Sequence, residues 1–158
     1  MSSFLPTIIF RHRKENGKKC TLKPIQSCLD VQFYRYPLLT FPSLENYFIL
    51  SMEAPLLTKE DQGKSVCLID GSWKYAAKMQ EFLLYRYPSS PMRSLPKECQ
   101  TAYPRKQTAC TDPKRGLASI EALFFAYLIL GKKNDTLLDG YYWKNSFLLM
   151  NQQLINSF

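Results

Sequence analysis

Hydrophobic positions along this chain change period twice. In the first half, short apolar or alternating runs separated by proline-rich punctuation predict strands at Thr7 to Arg11, Val31 to Tyr36, Tyr47 to Met52 and Val66 to Asp70. The last two are nearly continuous apolar runs, the pattern of central strands covered on both faces. After Asp70 the period becomes helical. Trp73, Ala76, Ala77, Gln80, Leu83 and Leu84 recur at helical spacing, with Gln80 as the one polar interruption. A helix starting near Ser72 therefore follows the strand through a turn containing Gly71. Residues 85–117 hold Pro88, Pro91, Pro96, Pro104 and Pro113, which exclude a long helix, although Gln100 to Tyr103 reads as a further short strand. Ile120, Leu123, Phe124, Tyr127 and Leu128 then restore a helical stripe, with Gly131 as its C′ residue. Leu137 to Tyr142 and Phe147 to Leu154 predict one or two more helices, interrupted near Gly140. Strands with interposed helices make this an α/β chain, a mainly parallel sheet with helices on both faces.

Length and charge narrow the picture. At 158 residues the chain reads as one domain, 1–158, of ordinary globular composition: 46% hydrophobic and 22% charged. Its net charge of +8 is unevenly spread. Residues 11–23 carry Arg11, Arg13, Lys14, Lys18, Lys19 and Lys23 against Glu15 alone. Residues 105–115 carry Arg105, Lys106, Lys114 and Arg115 against Asp112. These two segments hold the whole excess, and the remainder is balanced. Such concentration favours a surface for a polyanion over two solvated loops, and the N-terminal portion, about 1–40, reads as basic and RNA-binding.

Several classes fall away. No apolar run approaches the ~18 residues of a membrane span, and the short stretch Phe4 to Phe10 is followed, not preceded, by positive charge. Neither a signal peptide nor a membrane partner is expected. Cys20, Cys28, Cys67, Cys99 and Cys110 are odd in number and contain no C-x-x-C, and His12 is the one histidine, so no metal site is expected. The cysteines read as reduced thiols of a cytoplasmic protein, with Cys67 in the core. His12 lies among Arg11, Arg13 and Lys14, where a neutral resting form is not expected, which argues against a Ser-His-Asp or Cys-His unit. The six glycines form neither a dinucleotide fingerprint nor a P-loop.

Three places remain for chemistry. In an open α/β sheet, ligands bind beyond the carboxyl ends of the strands, so Ile69-Asp70 followed by Gly71-Ser72-Trp73 comes first. There Asp70 emerges at the sheet edge, Gly71 admits a ligand to the backbone and Trp73 offers an aromatic face. The competing reading has Asp70 capping the helix and Trp73 in the core. The second place is Leu117 to Ala122, a loop running into a helix whose N–H groups suit a carboxylate, or an ordinary helix start capped by Glu121. The third is Lys18-Lys19-Cys20-Thr21, suited to phosphate or carboxylate and equally to a solvated turn.

The spelling of these segments resembles a known family. Lys19-Cys20-Thr21, Glu53-Ala54-Pro55 after a hydrophobic strand, Asp70-Gly71-Ser72-Trp73 with Ala76 and Met79, Ala102-Tyr103-Pro104, and Ala118-Ser119-Ile120-Glu121-Ala122 are similar to motifs of the RNA aminocarboxypropyltransferases. That group includes enzymes of small-subunit ribosomal RNA and the DTW-domain proteins of transfer-RNA uridines. The likeness runs from about Arg11 to Leu154. Ser72 stands where the transfer-RNA branch has threonine. Glu15-Asn16-Gly17 and Ala102-Tyr103-Pro104 stand where the ribosomal branch has an aspartate and Asn-Pro.

The resemblance implies a SPOUT-like domain with a knotted C-terminal region and S-adenosylmethionine as donor of its 3-amino-3-carboxypropyl group. The acceptor it implies is a uridine-type N3 in structured ribosomal or transfer RNA, with 5′-methylthioadenosine released by a monomeric enzyme. It also implies a cofactor site of Thr21, Ala54, Pro55, Ile69, Asp70, Trp73, Ala76, Ala118 and Ser119. Asp70 and Trp73 are its catalytic pair, Asp70 being the candidate base, and Ala76 encloses the methyl group. The RNA contacts expected are Arg11, Arg13, Lys14, Lys18, Lys19, Arg105, Lys106, Lys114 and Arg115. A SPOUT-type RNA methyltransferase and a non-catalytic RNA-binding or ribosome-assembly module are the alternatives.

Overall fold

The computed structural model describes residues 5–14, 20–37, 41–104 and 116–158, with Trp73 described by its backbone alone. Within them five strands form one sheet: β1 (Thr7–His12), β2 (Val31–Tyr36), β3 (Tyr47–Leu50), β4 (Ser65–Asp70) and β5 (Met92–Arg93). The order is β2-β1-β4-β3-β5 and every neighbouring pair is parallel. The helices are α1 (Trp73–Arg86), α2 (Ser119–Leu130), α3 (Lys144–Met150) and α4 (Gln152–Asn156).

Strand alternation divides the core in two. Ile9, Phe48, Val66 and Leu68 point to one face and pack under α2 and α3 with Leu123, Phe125 and Phe147. Ile8, Phe10, Ile49 and Cys67 point to the other, against Met79 and Leu83 of α1. Both faces of β1, β3 and β4 are thus buried, as continuous apolar runs require. α2 is apolar almost all round because it lies between the sheet and α3, with Ile120, Ala122, Leu123, Phe125, Ala126, Tyr127 and Ile129 all buried. Gly131 ends it in the left-handed region at φ 72°, where a Cβ is strained.

The predicted elements shift in four places. β3 stops at Leu50, and Ser51 turns to meet α1. β5 is a two-residue strand hidden between prolines, paired to Ile49 and Leu50. Gln100 to Tyr103 joins no strand: Asn151 takes both backbone groups of Gln100, and Glu121 takes the Ala102 N–H. Residues 137–142 form turns, so the C-terminal helices are α3 and α4. Gly140 approaches Pro24 there, and a Cβ on it would lie 2.5 Å from the proline Cβ. Among the described residues no helix is long and apolar enough to cross a membrane.

The topology fixes where a ligand can sit. From β1 the chain runs outward to β2, whereas from β4 it runs through α1 to β5 on the opposite side. The order reverses between β1 and β4, and a crevice opens beyond their carboxyl ends.

Candidate functional site

The register pairs Arg11 of β1 with Asp70 of β4 at that crevice. The Arg11 Nε–H donates to Asp70 Oδ2 at 2.9 Å, and the Ser119 hydroxyl donates to Oδ1 at 2.7 Å. Asp70 therefore ties the carboxyl ends of two central strands to the first residue of α2. Arg11 also donates to Cys20 Sγ, and its guanidinium carbon lies 4.7 Å from the Phe33 ring centroid. Thr21, next in the chain, accepts from the Ile120 N–H at 3.3 Å. The Cys20-Thr21 segment is thus held against both β1 and the start of α2.

Beside this weld is a cleft at the carboxyl ends of β3 and β4, lying between α1 and the start of α2. Apolar walls come from Leu50, Met52, Leu68, Ile69, Leu95, Pro96 and Leu117, with small residues at Gly71, Ala76 and Ala122. Ser51, Gln80 and Ser119 are its polar side chains, besides the thiol of Cys99. No Asp, Glu, Lys or Arg side chain lines it among the described residues. Gly71 keeps the wall thin: a Cβ there would lie 3.2 Å from Met79 Sδ and 3.5 Å from His12 Cβ. Met52, Leu95 and Pro96 are shared with an adjoining hollow that Glu53, Ala54, Lys97 and Glu98 help to line. The loop bearing Ala54 and Pro55 is zipped to the residue after β5, both carbonyls accepting from Ser94 at 2.8 Å.

The far wall is braced by Glu121. This fully buried carboxylate accepts from Thr101 Oγ1 (2.7 Å), the Ala118 N–H (2.8 Å), the Ala102 N–H (2.9 Å) and Tyr141 OH (3.0 Å). It joins the start of α2, the 101–103 segment and the turn before α3.

The expected site residues separate on this geometry. Ile69, Ala76 and Ser119 line the cleft. Asp70 stands behind Ser119 and is 7% exposed. Thr21 touches the site through α2, Ala54 lines the adjoining hollow, and Pro55 is exposed on its loop. Ala118 is buried and its N–H is committed to Glu121, as that of Ile120 is to Thr21, so neither amide is available to a carboxylate. The backbone of Trp73 opens α1, and its side chain lies outside the described residues.

Two expectations are corrected. Arg11 is not a surface phosphate contact, because its side chain is 13% exposed and turned inward onto Asp70. His12 favours the neutral form: burial first, then the charges of Lys14 and Arg13, lower its pKa. Neighbouring cations oppose a proton on imidazole rather than promote it. Its ring stacks on Tyr75 with centroids 3.9 Å apart, and Nδ1 accepts from the Lys14 N–H. Of the other expected RNA contacts, Arg13 and Lys14 are exposed just past β1, while Lys18, Lys19, Arg105, Lys106, Lys114 and Arg115 lie outside the described residues.

Sequence reasoning missed Ser51, Leu95, Pro96 and Cys99 as cleft residues, and met Gln80 only as a polar break in an apolar stripe. That break was the signal. Met79 and Leu83 are buried in the core, Ala76 and Gln80 face the cleft, and Ala77 and Leu84 are exposed.

No protein-family model and no curated protein sequence matches the chain. Among solved structures, it is similar to the SAM-dependent rRNA:acp-transferase Tsr3 from Vulcanisaeta distributa, at a TM-score of 0.69 and 22% identity. The superposition covers 97% of this chain and 82% of that one. The α/β architecture expected from the sequence is matched over nearly the whole length, and the chain has the fold of that rRNA:acp-transferase.

Proposed function

We propose that this protein is an S-adenosylmethionine-dependent transferase that places a 3-amino-3-carboxypropyl group on a uridine-type N3 of ribosomal RNA. The observation that carries this reading is the cleft itself. It lies at the carboxyl ends of β3 and β4, beside the switch point of a fold shared with an rRNA:acp-transferase, has apolar walls with no charged side chain among the described lining residues, and ends at the Asp70-bound hydroxyl of Ser119. The lining suits the donor: leucines and Pro96 for a purine ring, with the small residues Gly71 and Ala76 beside them.

When bound, S-adenosylmethionine supplies an electrophilic γ-carbon, and transfer leaves 5′-methylthioadenosine. The chain's own contribution is position. Ala76 walls the region of the methyl group, Trp73 opens α1 beside it, and Ser119 marks the polar end. Asp70 holds Ser119 and Arg11 at once, so its role in this reading is to fix the site and its field, and the N3 proton passes to solvent as the bond to the γ-carbon forms. The two basic segments grip RNA backbone and present a splayed base, as suits a single-stranded target. The same reading includes a knotted C-terminal region and one domain over 1–158, acting as a monomer in the cytoplasm. Transfer RNA is the other RNA class to be offered in the assay.

Product analysis tests it. Purified protein incubated with S-adenosylmethionine and ribosomal or transfer RNA is expected to release 5′-methylthioadenosine, and nucleoside mass spectrometry is expected to find the added group on uridine or a derivative. S-adenosylhomocysteine instead would make it a methyltransferase. No binding of S-adenosylmethionine by calorimetry would make it a non-catalytic RNA-binding module. Asp70→Asn and Trp73→Ala are each expected to abolish or strongly slow transfer with the fold intact, and full turnover by both would remove the site assignment.

A further inference from the structure

We infer that Gln80 is a specificity-determining residue, a fixed hydrogen-bond donor that reads an uncharged acceptor on the nucleoside part of the ligand. The inference rests on the proposed function for the identity of that ligand. Its physical basis is a polar side chain kept where the helix period calls for an apolar one. Gln80 follows Ala76 by four residues on α1, so the two share a face, and both line the cleft. A glutamine on an otherwise apolar wall carries a desolvation cost unless its groups find partners.

One partner is present. The Ser51 hydroxyl, just past β3, donates to Gln80 Oε1 at 3.1 Å. This contact uses the carbonyl end of the amide and sets the plane of the group. The Nε2 end carries two N–H donors, and among the described residues no protein acceptor meets it. The carboxamide is thus oriented with its donor end left for something that is not protein.

Topology says which part of a ligand meets it. Arg11, Asp70, Ser119 and Thr21 gather on the β1 and β4 side of the cleft, where a charged amino-acid end finds polar company. Ser51, Leu50, Met52, Leu95 and Pro96 follow β3 and β5, on the opposite side of β4. Gln80 is bonded to that second group, within the apolar walls that suit a ring. A ring nitrogen or a ribose hydroxyl is the acceptor such a donor selects, and a neutral amide reads it without adding charge.

The test uses S-adenosylmethionine and 5′-methylthioadenosine, which share the nucleoside and differ in the amino-acid chain. Calorimetry on Gln80→Met, which keeps length and loses both polar groups, is expected to show about tenfold weaker binding of both ligands, the value of one ordinary hydrogen bond. Ser51→Ala, which frees the amide without removing it, is expected to give a smaller loss, about two- to threefold for both, and gives the reading should Gln80→Met fail to fold. Wild-type affinity for both ligands in both variants overturns the assignment of Gln80 and leaves the proposed function standing. Loss confined to S-adenosylmethionine overturns the nucleoside assignment, because Gln80 then reads the amino-acid end. Failure of the wild-type protein to bind either ligand overturns the inference together with the function it rests on.

Discussion

Replacing Glu121 by glutamine changes one atom at a fully buried carboxylate that accepts four hydrogen bonds, and its effect follows from the hydrogen-bond directions. Oε1 accepts from Thr101 Oγ1 and the Ala118 N–H, and Oε2 from the Ala102 N–H and Tyr141 OH. A glutamine amide has one acceptor end and one donor end. Whichever way it is turned, its NH2 faces one backbone N–H, that of Ala118 or that of Ala102. The hydroxyls of Thr101 and Tyr141 can rotate to accept, but a backbone N–H cannot. One buried donor is left unsatisfied, costing about 1–3 kcal/mol, and the remaining bonds lose the assistance of a charge. A loss of about 2–3 kcal/mol is a large share of the roughly 5–15 kcal/mol that holds a domain together. It corresponds to a melting temperature lower by about 5–10 °C for a chain of this size. Urea denaturation measures it as a lower midpoint at unchanged slope. Glu121→Gln within about 0.5 kcal/mol of wild type, below the lower bound for an unsatisfied buried donor, would refute the reasoning.

Asp61 sets the acid limb of stability. Burial works to raise its carboxyl pKa, but the Thr58 N–H, Arg93 and Lys64 outweigh burial and hold it below 3.8. A group depressed in the folded state contributes stability that is present above the unfolded value and is lost as pH falls through the folded one. Asp61→Asn is therefore expected to lower stability at neutral pH and to flatten its decline below about pH 4, read from denaturation midpoints across pH. At Gly140, alanine would bring its Cβ to 2.5 and 2.7 Å from Pro24 Cβ and Cγ. The proline ring cannot swing aside, so a loss of about 1–3 kcal/mol is expected, and an unchanged thermal midpoint would show that the two segments part freely. Burial alone pushes the Cys67 thiol up to about 12, so it is expected to resist thiol reagents at pH 8 until the protein unfolds, whereas the exposed Cys28 reacts at once. Equal rates for the two in the native protein would contradict the burial.

Local pattern made the sheet and the first helix legible before any coordinates. β1 and β4 fall within one residue of the expected bounds because buried parallel strands leave little room for polar residues, and the edge strand β2 matches on its Val, Phe and Tyr content. The turn from β4 into α1 was readable for the same reason, since a continuous apolar run gives way to period 3.6 at Gly71. β5 was hidden because a two-residue strand has no period of its own, and its place at the edge is decided by Pro91 and Ser94 meeting β3 and the loop after it. Candidate site residues on regular elements, Ile69, Ala76 and Ser119, reach the cleft. Leu95, Pro96 and Cys99 reach it too, but from irregular chain whose path is set by partners far away in sequence. The protonation preference of His12 was misread because a cationic neighbourhood was taken as favouring a proton that it repels.

The inward turn of Arg11 changes how the positive charge of this chain divides between its two tasks. Read along the sequence, Arg11 is the first member of a basic run. In three dimensions it is the next-to-last residue of β1, opposite Asp70 in the register, and the ion pair closes at 2.9 Å with both partners largely buried. A buried carboxylate left without its guanidinium would be costly to keep in place. Losing Arg11 thus acts on Asp70, on the Ser119 hydroxyl that Asp70 holds, and so on the cleft. Arg13 and Lys14 come one and two residues after the strand and are exposed. They carry charge that a polyanion can meet without disturbing the weld behind them. Within four residues the chain passes from building the small-molecule site to facing the solvent beside it. That transition is what the proposed transfer, from a donor in the cleft to a large, negatively charged acceptor outside it, requires.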